Sequence, residues 1–195
     1  KNITKTFFGV KALSNVSLSI EKGEVHAIVG ENGAGKSTIM KVLGGMYFAD
    51  SGEIYIAGKK CSIHSVTDAL KAGVAVVYQE LNLMPDLTVA ENIYLHSLPK
   101  KAGIMVNKDA MNRQAQELLD EMDVDFKATD LIGMLSVSEQ QMVEIAKALS
   151  LNADIIVMDE PTASLNDKEV ETLYRLIRKL KQQNKTIIYI SHRLK

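Results

Sequence analysis

Cysteine is almost missing from this chain. Cys61 is its one thiol, so no internal disulfide framework can form, and the composition fits a reducing compartment. Proline is scarce, with three in 195 residues, and no low-complexity tract accompanies it, which argues against long disordered linkers. An excess of charge of either sign is missing too. The net charge is −1, with neither a basic patch nor a long charged insertion, so nothing here points to an electrostatic binder of nucleic acid. No apolar run is long enough to span a bilayer, and no signal peptide is recognisable. A role at a membrane would therefore run through a partner. The remaining composition, 46% hydrophobic and 24% charged, is that of a globular chain with a sizeable core. The chain opens on Lys1-Asn2-Ile3-Thr4 and stops at Ser191-His192-Arg193-Leu194-Lys195, just past a predicted strand, which reads as a fragment of a longer polypeptide.

What is present is concentrated in Gly30-Glu31-Asn32-Gly33-Ala34-Gly35-Lys36-Ser37-Thr38. An apolar run, Val25–Val29, precedes it and a helical pattern, Thr38–Leu43, follows. Strand, glycine loop and helix are the setting that the G-x-x-x-x-G-K-[ST] phosphate loop needs. Backbone N–H groups must curl around phosphate oxygens, so Gly30, Gly33 and Gly35 are expected to supply freedom for positive φ. The helix start aims its positive dipole end at the anion. Lys36 is expected to reach the β- and γ-phosphates and Ser37 to bind Mg²⁺. The bland alternative is a glycine-rich turn that only caps a helix.

Four apolar runs end in polar chemistry. Val25–Val29 ends at Gly30, Val74–Tyr78 at Gln79, Ile155–Met158 at Asp159-Glu160, and Thr186–Ile190 at Ser191-His192. Such runs predict buried strands of a parallel sheet. Helical patterns at Ser65–Ala72, Met142–Leu149 and Asp167–Gln182 alternate with them, as in βαβ units. Ligands of such sheets bind beyond the strands' carboxyl ends. Asp159 should therefore lie near a Mg²⁺ held by Ser37, and Glu160 can orient and deprotonate a water. Gln79 can offer its carbonyl to the metal and its amide to water. His192 can donate to a γ-phosphate. Taken singly, Gln79 also reads as a polar turn residue and His192 as a structural histidine.

Leu135-Ser136-Val137-Ser138-Glu139-Gln140-Gln141 leads into an amphipathic pattern with Met142, Ile145, Ala146 and Leu149 on one stripe. Ser138 and Gln141 have capping-box spacing, which predicts a helix beginning near Ser138. Its exposed N–H groups are a candidate half-site for an anion, with an ordinary capped helix as the alternative. Thr88–His96 and Asp109–Met122 also predict helices, the second capped by Asn107. Gly52–Lys60, with Gly58, predicts a hairpin.

These residues together resemble the nucleotide-binding domain of ABC transporters, over Phe7 to His192. Gly30–Thr38 matches Walker A, Gln79 the Q-loop, Leu135–Glu139 the signature, Ile155–Glu160 Walker B with the catalytic glutamate, Ser164–Asn166 the D-loop and His192 the switch histidine. The resemblance implies an α/β fold: a P-loop NTPase core with a mostly parallel sheet, a small antiparallel β subdomain and a helical subdomain at about 80–150 inserted in a single domain of residues 1–195. It implies ATP and Mg²⁺ as cofactors, with Ser37, Gln79 and Asp159 at the metal and Glu160, His192 and Gln79 in catalysis. It implies head-to-tail pairing with a second nucleotide-binding domain, whose ATP Ser136 and the Ser138 amide would touch. Phe7, or else Phe8, matches the ring that stacks on adenine; a strand pair burying one ring is the other reading. Leu135–Ser150 and Met158–Glu169 are similar to the first ATPase domain of tandem monosaccharide importers. That implies membrane permease partners, docked by exposed apolar residues near Leu83-Met84-Pro85, and indirectly a sugar-binding protein. It also implies a peripheral place on the cytoplasmic face of the membrane.

The signature departs from the family's usual L-S-G-G-Q, with Val137 and Ser138 for the glycines and Glu139 for glutamine. Ser138 puts a Cβ where backbone must near phosphate, and Glu139 opposes a polyanion. The ATP site completed by this signature is expected to be weakened, and the site built on Lys36 is not. Two other functions share the motifs. A non-transport ABC ATPase acting on nucleic acid or the ribosome would need the basic patches that are missing. A small-molecule kinase would need arginine clamps, and of Arg113, Arg175, Arg178 and Arg193 only Arg193 lies near a strand end.

Overall fold

A computed structural model of the chain describes residues 1–101 and 105–191. The first elements are β1 (Ile3–Phe7), β2 (Val10–Val16), β3 (Val25–Val29), α1 (Lys36–Leu43), β4 (Ile54–Ile56), β5 (Lys59–Cys61), α2 (Val66–Lys71) and β6 (Val74–Val77). There follow α3 (Val89–Ile93), β7 (Lys100–Lys101), β8 (Met105–Val106), α4 (Lys108–Met122), a 3-10 turn at Ile132–Met134, α5 (Val137–Ser150), β9 (Ile155–Asp159), α6 (Asp167–Gln182) and β10 (Thr186–Ser191). The chain divides into two units. One comprises Lys1–Gln79, Asn152–Glu160 and Ile177–Lys195; the other comprises Glu80–Leu151 and Pro161–Leu176.

The first unit is built on a four-stranded sheet in the order β3-β10-β9-β6, every pair parallel. The four runs predicted from apolar composition are the four strands of this sheet. Val29 is level with Ser191, Ile190 with Asp159, and Met158 with Val77, so all four carboxyl ends reach one rim within about a residue of each other. Met40 of α1, Ala69 of α2, Val74, Val157, Ile188 and Ile190 form its buried core. β3 differs from the expected buried strand. Val25, Ala27 and Val29 face outward and are exposed, because β3 is the end of the sheet order and only its other face meets the core.

Two antiparallel hairpins accompany the sheet, as the fold class expects. β1 pairs with β2 and β4 with β5. Both turns take positive φ at two successive residues, Phe8-Gly9 (46° and 85°) and Ala57-Gly58 (50° and 75°), the hand that suits the right-handed twist of the strands. Ile3, Leu13 and Val42 make a smaller core beneath them.

In the second unit α3 packs on α4 and α5. Val89, Ala90, Ile93, Met111, Ala115, Leu119 and Ile145 are fully or almost fully buried. Asn107 caps α4 as the sequence predicts, its side chain accepting from the Ala110 N–H. α3 ends at Ile93 rather than His96, since Tyr94–Ser97 closes as a turn, with the Ser97 N–H on the Tyr94 carbonyl. α5 begins at Val137 and is buried around most of its girth, from Gln141 to Ala146, rather than along one stripe.

Gly45 follows α1 with φ of +73°, and a Cβ there would run into the Ser65 carbonyl. Gly45→Ala is expected to cost at least about 2 kcal/mol, read as a fall in melting temperature of roughly 4–8 °C.

Candidate functional site

The loop between β3 and α1 is shaped by two glycines rather than three. Gly33 and Gly35 take φ of 83° and 86°, whereas Gly30 does not use the left-handed region. Gly35 is constrained twice: an added Cβ would lie 2.8 Å from the Ala12 carbonyl oxygen and 2.8 Å from Leu13 Cδ2. Gly35 is also the N-cap of α1, with no side-chain cap and no acidic residue in the first turn. The N–H groups and positive dipole end of this helix are thus left without a resident carboxylate, which suits an anion.

Lys36 is buried, at 9% exposure, and its ammonium donates to the carbonyls of Gly30 (2.7 Å) and Glu31 (2.9 Å). The cation is folded onto its own loop and held by neutral acceptors, so a phosphate would replace weak partners with strong ones. One residue on, Ser37 Oγ donates to Asp159 Oδ1 at 3.2 Å. The parallel sheet produces this meeting across 122 residues of sequence.

Asp159 is 3% exposed at the end of β9. Burial pushes its carboxyl above the usual value of 3.8, and the Glu160 charge adds to this. The Ser37 bond and the Lys41 and Lys36 charges oppose the rise without cancelling it. Sequence reasoning passed over Lys41, which stands four residues after Ser37 and so shares its face of α1. Among the described residues no cluster of three or more His, Cys, Asp or Glu could cage a metal. A hydroxyl and an under-compensated carboxylate are nevertheless the partial oxygen set that a hard cation takes when a bound phosphate supplies the rest.

Glu160 follows at once, half-buried, with φ of 49° and its N–H on the Ile190 carbonyl at 3.1 Å. A non-glycine residue in this region is strained, and such strain collects at functional positions. Gln79 lies exposed past the end of β6, on the same rim. Glu31, Asn32 and Ala34 fill out the loop, and Thr38 stands in the first turn of α1. His192 lies outside the described residues.

The two candidate adenine rings differ. Phe7 packs edge-on against Tyr47, centroids 5.0 Å apart, with the Lys5 ammonium 5.3 Å from its ring. Phe8, in the hairpin turn, is fully exposed. Sequence reasoning did not single out Tyr47, which comes from the loop after α1.

In the second unit, the expected cap at Ser138 moves to Ser136. Ser136 Oγ accepts the Glu139 N–H (3.3 Å), while Glu139 Oε2 accepts both the Ser136 N–H and its hydroxyl, each at 2.7 Å. Ser138 Oγ lies 3.2 Å from Ser136 Oγ. Ser136 and Ser138 both have an acid or amide three residues on, so spacing alone favours neither. The charged Glu139 is the stronger reciprocal acceptor. This helix start is occupied by its own carboxylate where that of α1 is open.

Because its carboxyl value is raised on folding, Asp159 contributes most to stability below 3.8, and that contribution is lost as pH rises through the folded value. Asp159→Asn is therefore expected to raise the melting temperature of the ligand-free protein at pH 7. The advantage should vanish below about pH 4. Thermal melts of both proteins across that range check it.

Residues 13–163 match the family model described as ABC transporter. The arabinose import ATP-binding protein AraG of Vibrio parahaemolyticus is 50% identical over 193 residues, covering 99% of this chain and 38% of that protein. The ribose import ATP-binding protein RbsA of Shouchella clausii is 49% identical over 195 residues, covering 98% and 39%. The chain thus spans about two fifths of the length of the curated relatives it matches. Among solved structures, the dimeric post-hydrolysis state of the ATP-binding cassette MJ0796 bound to ADP and Pi is similar at a TM-score of 0.85 and 33% identity, covering 99% of this chain and 87% of that one. The ADP conformation of MJ1267, an ATP-binding cassette of an ABC transporter, is similar at 0.85 and 30%, covering 100% and 80%. With its phosphate loop, its strand-end acids and its signature helix inside this likeness, the chain belongs to the ABC transporter family.

Proposed function

We propose that this chain is an ATP-binding and hydrolysing domain that powers uptake of a monosaccharide. The observation that carries this reading is the meeting of Lys36, Ser37, Asp159 and Glu160 at one sheet rim. On this reading Lys36 leaves the Gly30 and Glu31 carbonyls for the β- and γ-phosphates, and the N–H groups from Gly33 to Thr38 wrap the remaining oxygens. Ser37, Asp159 and Gln79 would hold Mg²⁺, which supplies neutralisation of phosphate charge. Glu160 orients a water and accepts its proton, and His192 donates to the γ-phosphate. The hairpin of β1 and β2 offers the adenine platform, through Phe7 braced by Tyr47 or through the bare ring of Phe8.

Ser136 and the Ser138 N–H would complete the ATP site of a second nucleotide-binding domain, on the same polypeptide or in another copy. Beside a different partner domain that site is the weaker of the two, since its phosphate must displace Glu139 from the helix start, and between two copies of this chain both sites would share the weakness. The names of AraG and RbsA, import proteins for arabinose and ribose, support a monosaccharide as cargo. Membrane permeases are then the direct partners and a sugar-binding protein an indirect one, with the domain peripheral on the cytoplasmic face. Among the described residues no helix is long and apolar enough to cross a membrane. A single domain of residues 1–195 with its helical part inserted is the organisation that this reading adopts.

Glu160→Gln should leave ATP affinity within about twofold and lower turnover by roughly 10²- to 10³-fold. Nucleotide titration and phosphate release measure the two; undiminished release removes Glu160 from its role.

A further inference from the structure

Tyr47 stands in the stretch between α1 and β4, and that stretch is tied down on both sides of it. Towards α1, the Met46 and Tyr47 N–H groups both donate to the Lys41 carbonyl, at 2.9 and 3.0 Å. Beyond Tyr47 the stretch pairs with β1. The Asp50 N–H donates to the Thr4 carbonyl (2.8 Å), and the Thr4 N–H donates to the Ser51 carbonyl (3.0 Å). The Asp50 side chain adds two bonds: Oδ1 accepts from Lys5 Nζ at 2.9 Å and Oδ2 from the Thr6 N–H at 2.7 Å. The helix that follows the phosphate loop and the strand that carries Phe7 are thus joined by one short strap, with Tyr47 in it.

The rings of Tyr47 and Phe7 meet edge to face, at 68° and 5.0 Å between centroids. Tyr47 also packs against the small core of Ile3, Leu13 and Val42, which leaves its ring little room to turn. A cation accompanies each ring: Lys41 Nζ lies 5.6 Å from the centre of Tyr47, and Lys5 Nζ, held by Asp50, 5.3 Å from that of Phe7. Phe7 nevertheless stays only half-buried. A ring fixed at one edge and left half open fills a core poorly and presents a flat apolar face well. Phe8 is fully exposed in the turn, and would have to give up its rotamer freedom to hold a base.

The place of Phe7 along the hairpin matters as much as its posture. It pairs across with Val10, and two residues further along β2 Ala12 and Leu13 lie against Gly35 of the phosphate loop. At about 3.3 Å per residue, the level of Phe7 is roughly 7 Å along β2 from that contact. A ribose can bridge such a gap between a base and its phosphates.

We infer that Tyr47 is a positioning residue for the base of the nucleotide: it fixes the Phe7 ring at the level where a purine stacks while the triphosphate lies in the loop. The inference rests on the nucleotide reading above.

The test uses the full-length protein and calorimetric titration with two Mg²⁺-loaded ligands, ATP and inorganic tripolyphosphate, which has no base. Tyr47→Leu keeps an apolar side chain against the core and removes the ring. It should weaken ATP binding by about 3- to 10-fold and leave tripolyphosphate binding within about twofold. Tyr47→Phe restores the ring and should bind both ligands within about twofold of the native protein. Native ATP affinity in Tyr47→Leu overturns the inference. So does an equal loss for both ligands, or a loss in Tyr47→Phe as large as that in Tyr47→Leu. If Tyr47→Leu does not fold, photolabelling of the native protein by ATP that carries an azide on its adenine takes its place. Label on Phe7 or Tyr47 is then expected, and label on neither overturns the inference. A native protein that binds ATP no more tightly than tripolyphosphate overturns it as well, while the phosphate site stands. Failure of the native protein to bind either ligand overturns the nucleotide reading itself, and this inference with it.

Discussion

Parallel hydrogen bonding from β3 through β10 and β9 to β6 decides where the chemistry goes. Side chains 122 residues apart, Ser37 and Asp159, touch because Ile28 and Asp159 both stand level with Ile190. A slip of one residue in β9 would turn Asp159 to the other face of the sheet and put Met158 or Glu160 in its place. The buried contacts of Val157, Ile188 and Ile190 oppose that slip, so the same core that stabilises the unit also sets the site's geometry.

Two helix starts in the chain show opposite electrostatics from similar sequence material. α1 opens on glycine without a carboxylate, and α5 opens on a serine tied to Glu139. A capping box is worth about 1 kcal/mol to a helix, and that gain is lost when a phosphate competes for the same N–H groups. Stability of the free chain and anion affinity therefore point opposite ways at Ser136.

The strand ends were legible because apolar runs of four or five residues stop abruptly at Gly30, Gln79, Asp159 and Ser191, and a parallel sheet converts such stops into one rim. The helix start at Ser136 was not, since Ser138 offers the same spacing and only the three-dimensional reach of Glu139 separates them. Nor was the burial of α5. A carboxylate between Val143 and Ile145 signals something unusual, but its partner is a backbone N–H 62 residues away, which no local pattern reports. Lys36 was legible as a candidate phosphate ligand by type, while its contacts with the Gly30 and Glu31 carbonyls were invisible, because main-chain carbonyls carry no sequence signature.

The left-handed backbone at Glu160 sets two selective pressures against one another. Glycine would relax that position by about 1–2 kcal/mol, so random mutation and screening for thermal robustness would drift toward it. The carboxylate would vanish in the same step. If Glu160 activates water as proposed, a sturdier protein recovered from such a screen would have exchanged its turnover for its robustness.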